Sequence, residues 1–501
     1  YFAYDYNEYK NARGLYLDLN ELPGKVCHDS EELIYQLHHL DKYPENSFQS
    51  AVEEYCPFDD GQASKRLINA IFEEDDTYVT SMELSNKKRI LIYGGSLDTN
   101  GITSSLLNLL HNIDYNKYDV TLMHSGNIKD TNADNIAKIP KEVRILYRMG
   151  TFNFNLRQYY SHQLLFNSGF KRKLYKKLIP EELYQNEWKR LLGEFEFDIA
   201  IDYSGYSPLW TLLFSHGDFK RKVIYLHSEM VTDVERRNKQ FKRAPVYFNI
   251  IFNSYDNFDT IISVSQDVGK INQERLKDYA NQEKFLIIEN PIDFQKVISL
   301  KDQYKITEIN NTNYLILDES DDFGIYQFKG VPIPEDQNIN FVTIGRLSIE
   351  KDHEKLIRAF TKLHKIHPQT RLYIIGDGVM RNQLKQLIDQ LDVTHAVYLV
   401  GRLSNPYSVV NLCDCFVLSS NYEGQGLAVL EALILNKPVI STDIPGPREL
   451  LQNNQGSLIE NSEEGLYYAM KEYTENPFSY PAFDYVKYNE NAMRKFYSIT
   501  N

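Results

Sequence analysis

After Lys87 the chain alternates short, almost wholly apolar runs with amphipathic stretches, and it does so in two separate series. The first series is KRILIYGG, DVTLMHS, EVRILY, FDIAIDYS, KVIYLHS, TIISVS and KFLIIENPID. The second is INFVTIGRL, RLYIIGDG, AVYLVGRL, DCFVLSS, KPVISTD and GSLIE. A strand that is apolar throughout has to be covered on both faces, which implies a parallel sheet between layers of helices. ITSSLLNLLHNI, with its apolar residues at helical spacing, reads as one such cover. Two series therefore predict an α/β chain with two doubly wound, Rossmann-like domains.

At 501 residues the chain exceeds what one core ordinarily serves. The first domain is expected over 87–300, the second over 339–475, and a helical tail over 476–501. Between the domains, residues 301–338 turn polar and acidic, with Pro332 and Pro334 near the end, and read as a linker or an insertion carrying a short strand pair. Residues 1–86 follow neither series. They are aromatic-rich, as in YDYNEYKNARGLY, and SEELIYQLHHL marks a helix, so a mainly helical extension is expected there.

Composition narrows the function classes. A net charge of −14 argues against general nucleic-acid binding. No apolar stretch approaches the ~20 residues of a membrane span, and no signal peptide opens the sequence, so a cytoplasmic location is expected. The four cysteines are Cys27, Cys56, Cys413 and Cys415; the Cys-Asp-Cys pair has no histidine at finger spacing and reads as small buried residues, not a metal site.

Three segments place polar groups at the carboxyl ends of strands, where ligands bind in this architecture. Gly94, Gly95 and Gly101 bracket a turn into a helix, an arrangement that suits a diphosphate because free amides and the helix dipole both favour anions. Arg346 ends INFVTIG and Lys351 follows in GRLSIEKD, two cations able to neutralise a pyrophosphate. In SSNYEGQGLAVLEAL, Glu423 falls on the loop leaving a strand and Glu431 inside the next helix. The five steps from Gly426 to Glu431 add roughly 7.5 Å along the helix. That spacing suits gripping two ends of an extended ligand better than flanking one glycosidic bond, which requires carboxylates ~5–9.5 Å apart.

In order and spacing, GRLSIEKD, YIIGDG, YLVGRL and SSNYEGQGLAVLEALILNKPVISTDIPGPREL resemble the retaining, nucleotide-sugar-dependent glycosyltransferases of the GT-B fold with an E-x7-E motif. NGITSSLLNLL, YLHSEM and IIENPID are similar to that family's glycine loop, His-bearing strand end and Asn-x-x-Asp-like segment, and the likeness spans about 87–475. The resemblance implies two domains facing across a cleft. It implies that Arg346 and Lys351 hold the donor diphosphate, with Gly101 approaching from the opposite domain. Glu423, with Gly424, Gln425, Gly426 and Leu427, would contact the transferred sugar; Glu431 would hold the ribose; Arg402 and Leu403 would meet the base; His227 would sit near the sugar. The catalytic set is then Glu423, His227, Arg346 and Lys351, with no cofactor, no metal and a UDP-sugar as co-substrate. Where the family often has Gly-Gly, this chain has Asn100-Gly101.

YDYNEYKNARGLYLDLNELPGKV and FDDGQASKRLINAI resemble the carboxyl-terminal end of CDP-glycerol glycerophosphotransferases of the teichoic-acid polymerase type, whose catalytic histidines lie upstream of the matching residues. The fusion implies an acceptor of polyol-phosphate or related capsular polymer type. FKRKLYKKLIPEELYQNEWKR (170–190) and VERRNKQFKRAP (234–245) concentrate cations in the first domain and fit an anionic acceptor or a peripheral site at the inner membrane face. The competing readings are a lipid-linked or protein acceptor, and a non-catalytic nucleotide-sugar or polymer-binding module.

Overall fold

The computed structural model describes residues 1–13, 19, 23–42, 48–73, 75–79, 86–126, 130–168, 172–238, 241–309, 312–322 and 325–500. The chain divides into two compact units, Tyr1–Ser85 and Asn86–Asn501.

The first unit is mainly helical. It contains the helices Tyr6–Arg13, Ser30–Leu37, Gln49–Tyr55 and Ala63–Phe72, with one parallel bridge between Phe2 and Cys27. Asp29 starts the second helix by accepting from the Glu32 amide at 2.8 Å, which satisfies one of the free donors at its end. Residues 14–18 and 20–22, part of the segment resembling the polymerase, lie outside the described residues.

The second unit holds both strand series. The first forms a seven-stranded sheet from β1 (Lys88–Tyr93), β2 (Tyr118–His124), β3 (Arg144–Tyr147), β4 (Ile199–Asp202), β5 (Arg221–Leu226), β6 (Thr260–Ser263) and β7 (Phe285–Ile287). Its order is β3-β2-β1-β4-β5-β6-β7, and every pairing is parallel. Along β1, Leu91 and Tyr93 enter the core on one face while Ile90 and Ile92 enter the core on the other. This is the two-sided burial that the unbroken apolar runs require.

The inserted segment forms an antiparallel sheet from β8 (Ile306–Ile309), β9 (Thr312–Asp322) and β10 (Ile325–Pro332), in the order β10-β9-β8. The stretch read as a linker or strand pair is thus three strands. Polar residues interrupt the stretch, so the sequence points to a strand pair at most, without the continuous apolar runs of a doubly covered sheet. Leu315 and Val331 join the core of the second half.

The second series forms a six-stranded parallel sheet from β11 (Ile339–Ile344), β12 (Thr370–Ile375), β13 (Val397–Gly401), β14 (Cys415–Leu418), β15 (Val439–Thr442) and β16 (Ser457–Ile459). Its order is β13-β12-β11-β14-β15-β16, the arrangement of dinucleotide-binding folds with its switch point between β11 and β14. Phe416 and Leu418 face one core, Cys415 and Val417 the other. Cys413 and Cys415 are buried free thiols.

Packing places the crossing between halves before residue 300. Ile292 and Val297, the latter on the helix Phe294–Leu300, already belong to the second core. The chain then returns: Met493 and Phe496 of the last helix, Tyr485–Ser498, and Ile499 just past its end are buried in the first core. Tyr497 stacks on Tyr118 at 5.1 Å and its hydroxyl accepts from the Asp114 amide at 2.9 Å. The tail is therefore a strap joining the two sheets.

Candidate active site

The two exit loops beside the second switch point are laced together. Asn421 donates its amide to the Glu350 carbonyl at 2.8 Å, and the Ser419 hydroxyl donates to the Lys351 carbonyl at 2.9 Å. That lacing brings Lys351, from the loop after β11, against Glu423, from the loop after β14. Lys351 Nζ pairs with Glu423 Oε1, and the Ser420 hydroxyl donates to the same oxygen at 2.7 Å. Both side chains are mostly buried, so the pair interacts more strongly than a solvated one. Arg346, five residues before Lys351, is exposed at the end of β11.

The Gly-Gln-Gly bend meets the first half directly. A Cβ on Gly424 would lie 1.9 Å from the His227 carbonyl oxygen, so only glycine permits this approach. The Gly424 carbonyl accepts from the Ser265 hydroxyl at 2.7 Å. Gln425 is buried, and its Oε1 accepts from the Asn290 amide at 3.1 Å and from the Asn290 side chain, while its Nε2 donates to Tyr488. Gly426 adopts φ +88 and opens the helix Leu427–Ile434, a conformation that costs glycine little.

His227 ends β5 on the cleft side. Its Nε2 lies 2.6 Å from the Tyr203 carbonyl. A carbonyl only accepts, so Nε2 carries the proton and Nδ1 is left as an acceptor. Burial pushes the imidazole down to about 4, against the raising effect of that bond. It is neutral at physiological pH.

Glu431 lies on the helix Leu427–Ile434, away from the Lys351–Glu423 pair. Its Oε1 accepts from the Tyr407 hydroxyl at 3.2 Å. Burial pushes its carboxyl up to about 7, although Tyr407 and the charge of Lys296 pull the other way. Lys296 also acts on Lys138 of the first half, whose ammonium is held below the usual lysine range by burial first, then by Lys296 and Arg402, with Asp134 opposing. Lys296 thus acts on both Glu431 and Lys138, and Arg402 acts on Lys138 as well. Arg402 is exposed, and Leu403 packs half-buried on the second core.

Gly101 begins the helix Gly101–Asn112, and a Cβ there would meet only open space. The helix end is already capped: Asn100 Oδ1 accepts from the amides of Ile102 at 2.9 Å and Thr103 at 3.0 Å. An anion at this end would therefore meet fewer free amides than a Gly-Gly loop offers. Two cavities border the site. One of about 520 Å³ shares Gln425, and one of about 430 Å³ shares Leu403; neither is lined by Glu423 or Arg346.

The structure thus brings together Lys351 with Glu423, His227 with Gly424, and Gln425 with Asn290, and keeps Glu431 apart with Tyr407. Sequence reasoning passed over Ser420, Tyr422, Tyr407, Lys138 and Lys296. Tyr422 precedes Glu423 and accepts the Glu229 amide of the first half, and the Arg236 guanidinium lies 5.1 Å from its ring centre. Its place beside a catalytic candidate was the available signal. Lys138 and Lys296 carried none, because their convergence depends on how the halves meet.

Residues 326–492 match the family described as glycosyl transferases group 1, and residues 1–73 match CDP-glycerol:poly(glycerophosphate) glycerophosphotransferase. An uncharacterized glycosyltransferase of Methanocaldococcus jannaschii is 30% identical over 298 residues, 58% of this chain and 66% of that protein. A poly(ribitol-phosphate) alpha-N-acetylglucosaminyltransferase of Staphylococcus aureus is 28% identical over 229 residues, 45% of this chain and 42% of its own length. The alignments therefore span less than two thirds of each relative. Among solved structures, a complex of S. aureus TarM with fondaparinux, alpha-GlcNAc-glycerol and UDP superposes with a TM-score of 0.55 at 16% identity, over 83% of this chain and all of that one. Together with the sheet orders, these matches make the two halves a GT-B pair of Rossmann-like domains.

Proposed function

We propose that this chain, whose residues 326–492 belong to the glycosyl transferases group 1 family, is a retaining hexosyltransferase. It would move a sugar from a nucleotide sugar, UDP-linked by our reading, to a hydroxyl of an anionic polyol-phosphate polymer. The observation that carries the reading is the contact of Lys351 with Glu423 beside the switch point. It sets a cation for the diphosphate against a carboxylate for sugar hydroxyls. The relative acting on poly(ribitol phosphate) and the glycerophosphotransferase piece at 1–73 support the acceptor class.

In this reading the acceptor oxygen bonds to the anomeric carbon from the face that the phosphate leaves. The bond from that carbon to phosphate oxygen breaks, with its electron pair going to the diphosphate. The acceptor's proton passes to a leaving phosphate oxygen, giving a glycoside of retained configuration and a nucleoside diphosphate. Arg346 and Lys351 stabilise the charge growing on the diphosphate, a role in which one lost donor costs ~10²–10³ in rate. Glu423, released from Lys351 as the diphosphate takes that cation, accepts from sugar hydroxyls. Neutral His227 offers Nδ1 to another hydroxyl. Glu431 grips the ribose diol.

The test incubates the protein with UDP-, GDP- and ADP-sugars, with and without poly(glycerol phosphate) or poly(ribitol phosphate). Nucleotide release, product mass and the NMR coupling of the new anomeric proton are followed. Release of UDP that depends on the polymer, with retained configuration, is expected. A binding module would release no nucleotide, and an enzyme for lipid-linked or protein acceptors would leave the polymer's mass unchanged.

A further inference from the structure

The first half carries an apolar face that none of the donor-site residues above occupies. On the helix Leu156–Ser168, Leu156, Tyr160 and Leu164 are 79%, 68% and 47% exposed. Their i, i+4, i+8 spacing sets them in one line about 12 Å long on the outward side. The opposite side holds the helix in place through buried Leu165 and half-buried His162, which packs on Phe152 and Phe166. The next helix, Arg172–Leu178, adds exposed Leu174 and is pinned by the buried Tyr175 hydroxyl, 2.8 Å from Ser254 Oγ. Phe241, 47% exposed, meets Tyr247, whose ring in turn lies 6.1 Å from Phe166. The apolar side chains thus stand on a rigid base.

The exposed charges described on this face are mostly positive. Between residues 156 and 178 the sequence carries cations and no Asp or Glu, in a chain of net charge −14; the acids Glu181 and Glu182 follow the second helix, and Glu181 lies near Tyr175. Arg157 and Lys177 are exposed on the two helices, and Lys242 and Arg243 follow Phe241. Lys176 is paired at 2.8 Å with Asp256, at the edge of the patch.

We propose that this face docks the protein on an anionic lipid bilayer, with Leu156, Tyr160 and Leu164 entering the headgroup boundary and the cations ringing them. A helix with exposed leucines and an aromatic in one line, with Arg157 on it and Lys177, Lys242 and Arg243 on neighbouring segments, has the chemistry of an in-plane membrane helix. A polyol-phosphate chain would account for the cations alone, since it has no apolar group to cover the leucines; a bilayer satisfies both. The helix follows the exit loop of β3, so it starts at the sheet edge that also carries His227. Docking here would hold the cleft beside the membrane surface.

The experiment sediments the full chain with vesicles of phosphatidylcholine alone and of phosphatidylcholine mixed with phosphatidylglycerol, in the absence of any donor. The outcome is therefore independent of the transfer reading. Binding at least ~10-fold tighter to the anionic vesicles is expected, weakening with salt. Combined Leu156→Ser, Tyr160→Ser and Leu164→Ser should cut vesicle binding ~10-fold or more, with thermal stability and turnover of a soluble acceptor unchanged. Lys177→Glu should cut it ~5-fold or more, since reversing a charge removes one attraction and adds one repulsion. Equal affinity for neutral and anionic vesicles, or unchanged binding by the triple variant, overturns the proposal. So does retention on poly(glycerol phosphate) without any vesicle binding, which would make the face a polyanion site.

Discussion

Lys351 and Glu423 form one ion pair although 72 residues separate them, because β11 and β14 are neighbours in the second sheet and their exit loops are stitched together. Each group holds the other in place until a ligand separates them. Glu423→Gln or Lys351→Met alone leaves a buried partner charge uncompensated, which is costly beyond the lost attraction. Each single variant is expected to lower kcat/KM ~10²–10³-fold, and the double variant to lose far less than the product of the two. A double-mutant cycle with coupling under about 0.5 kcal/mol would make the two groups independent.

Arg346 stands in the same loop but bears no structural load, being exposed at the end of its strand. Arg346→Ala should therefore leave the melting temperature within a degree or so, since exposed substitutions typically change stability by under about 0.5 kcal/mol. Its kcat should still fall ~10²–10³-fold if the guanidinium stabilises the leaving diphosphate. Unchanged turnover of a confirmed donor would remove the diphosphate role from this residue.

Gly424 packs directly against the first half, where an added Cβ would lie 1.9 Å from the His227 carbonyl oxygen. The contact lies at a seam between two sheets, not inside either core, so Gly424→Ala has room to be accommodated by opening the cleft. We expect near-native circular dichroism with a kcat reduced ~10²-fold or more, because small displacements of reacting groups carry such penalties. Full activity in this variant would mean that the closed contact is not the working one.

The apolar runs announced both parallel sheets because double-sided burial leaves a one-dimensional trace: every run quoted from the two series is a strand. β8, β9 and β10 lack that trace, their polar residues interrupting the pattern so that only a short strand pair is expected there. For the candidate site, the glycine bend and the family likeness single out Glu423 and Glu431 in the sequence. The partners that tune them are not marked there. Ser420 and Tyr422 flank Glu423 in sequence yet are ordinary loop residues until the loop is folded. Tyr407 and Lys296 reach Glu431 from distant elements, so only the assembled chain relates them. Asn100 departs from Gly-Gly in the sequence, but that its side chain occupies the helix amides is visible only in three dimensions.

Glu431 gives a pH signature with a definite sign. Its carboxyl sits at about 7, raised by burial from the ordinary carboxylate value of 4.5. Between those limits the unfolded chain has already lost this proton while the folded chain keeps it, so folded stability falls as pH rises through the interval and stays reduced above 7. Glu431→Gln keeps the acceptor for Tyr407 but has no charge to bury. It is expected to melt higher than the parent by a few degrees at pH 8, on the order of 1 kcal/mol, and at the same temperature near pH 4. Donor binding should run the opposite way, because a ribose diol is held best by the ionised form. Donor KM is expected to fall as pH rises through about 7 in the parent and to stay flat in Glu431→Gln. A variant that melts lower at pH 8, or a donor KM with the same pH profile in both proteins, would place Glu431 outside the donor site.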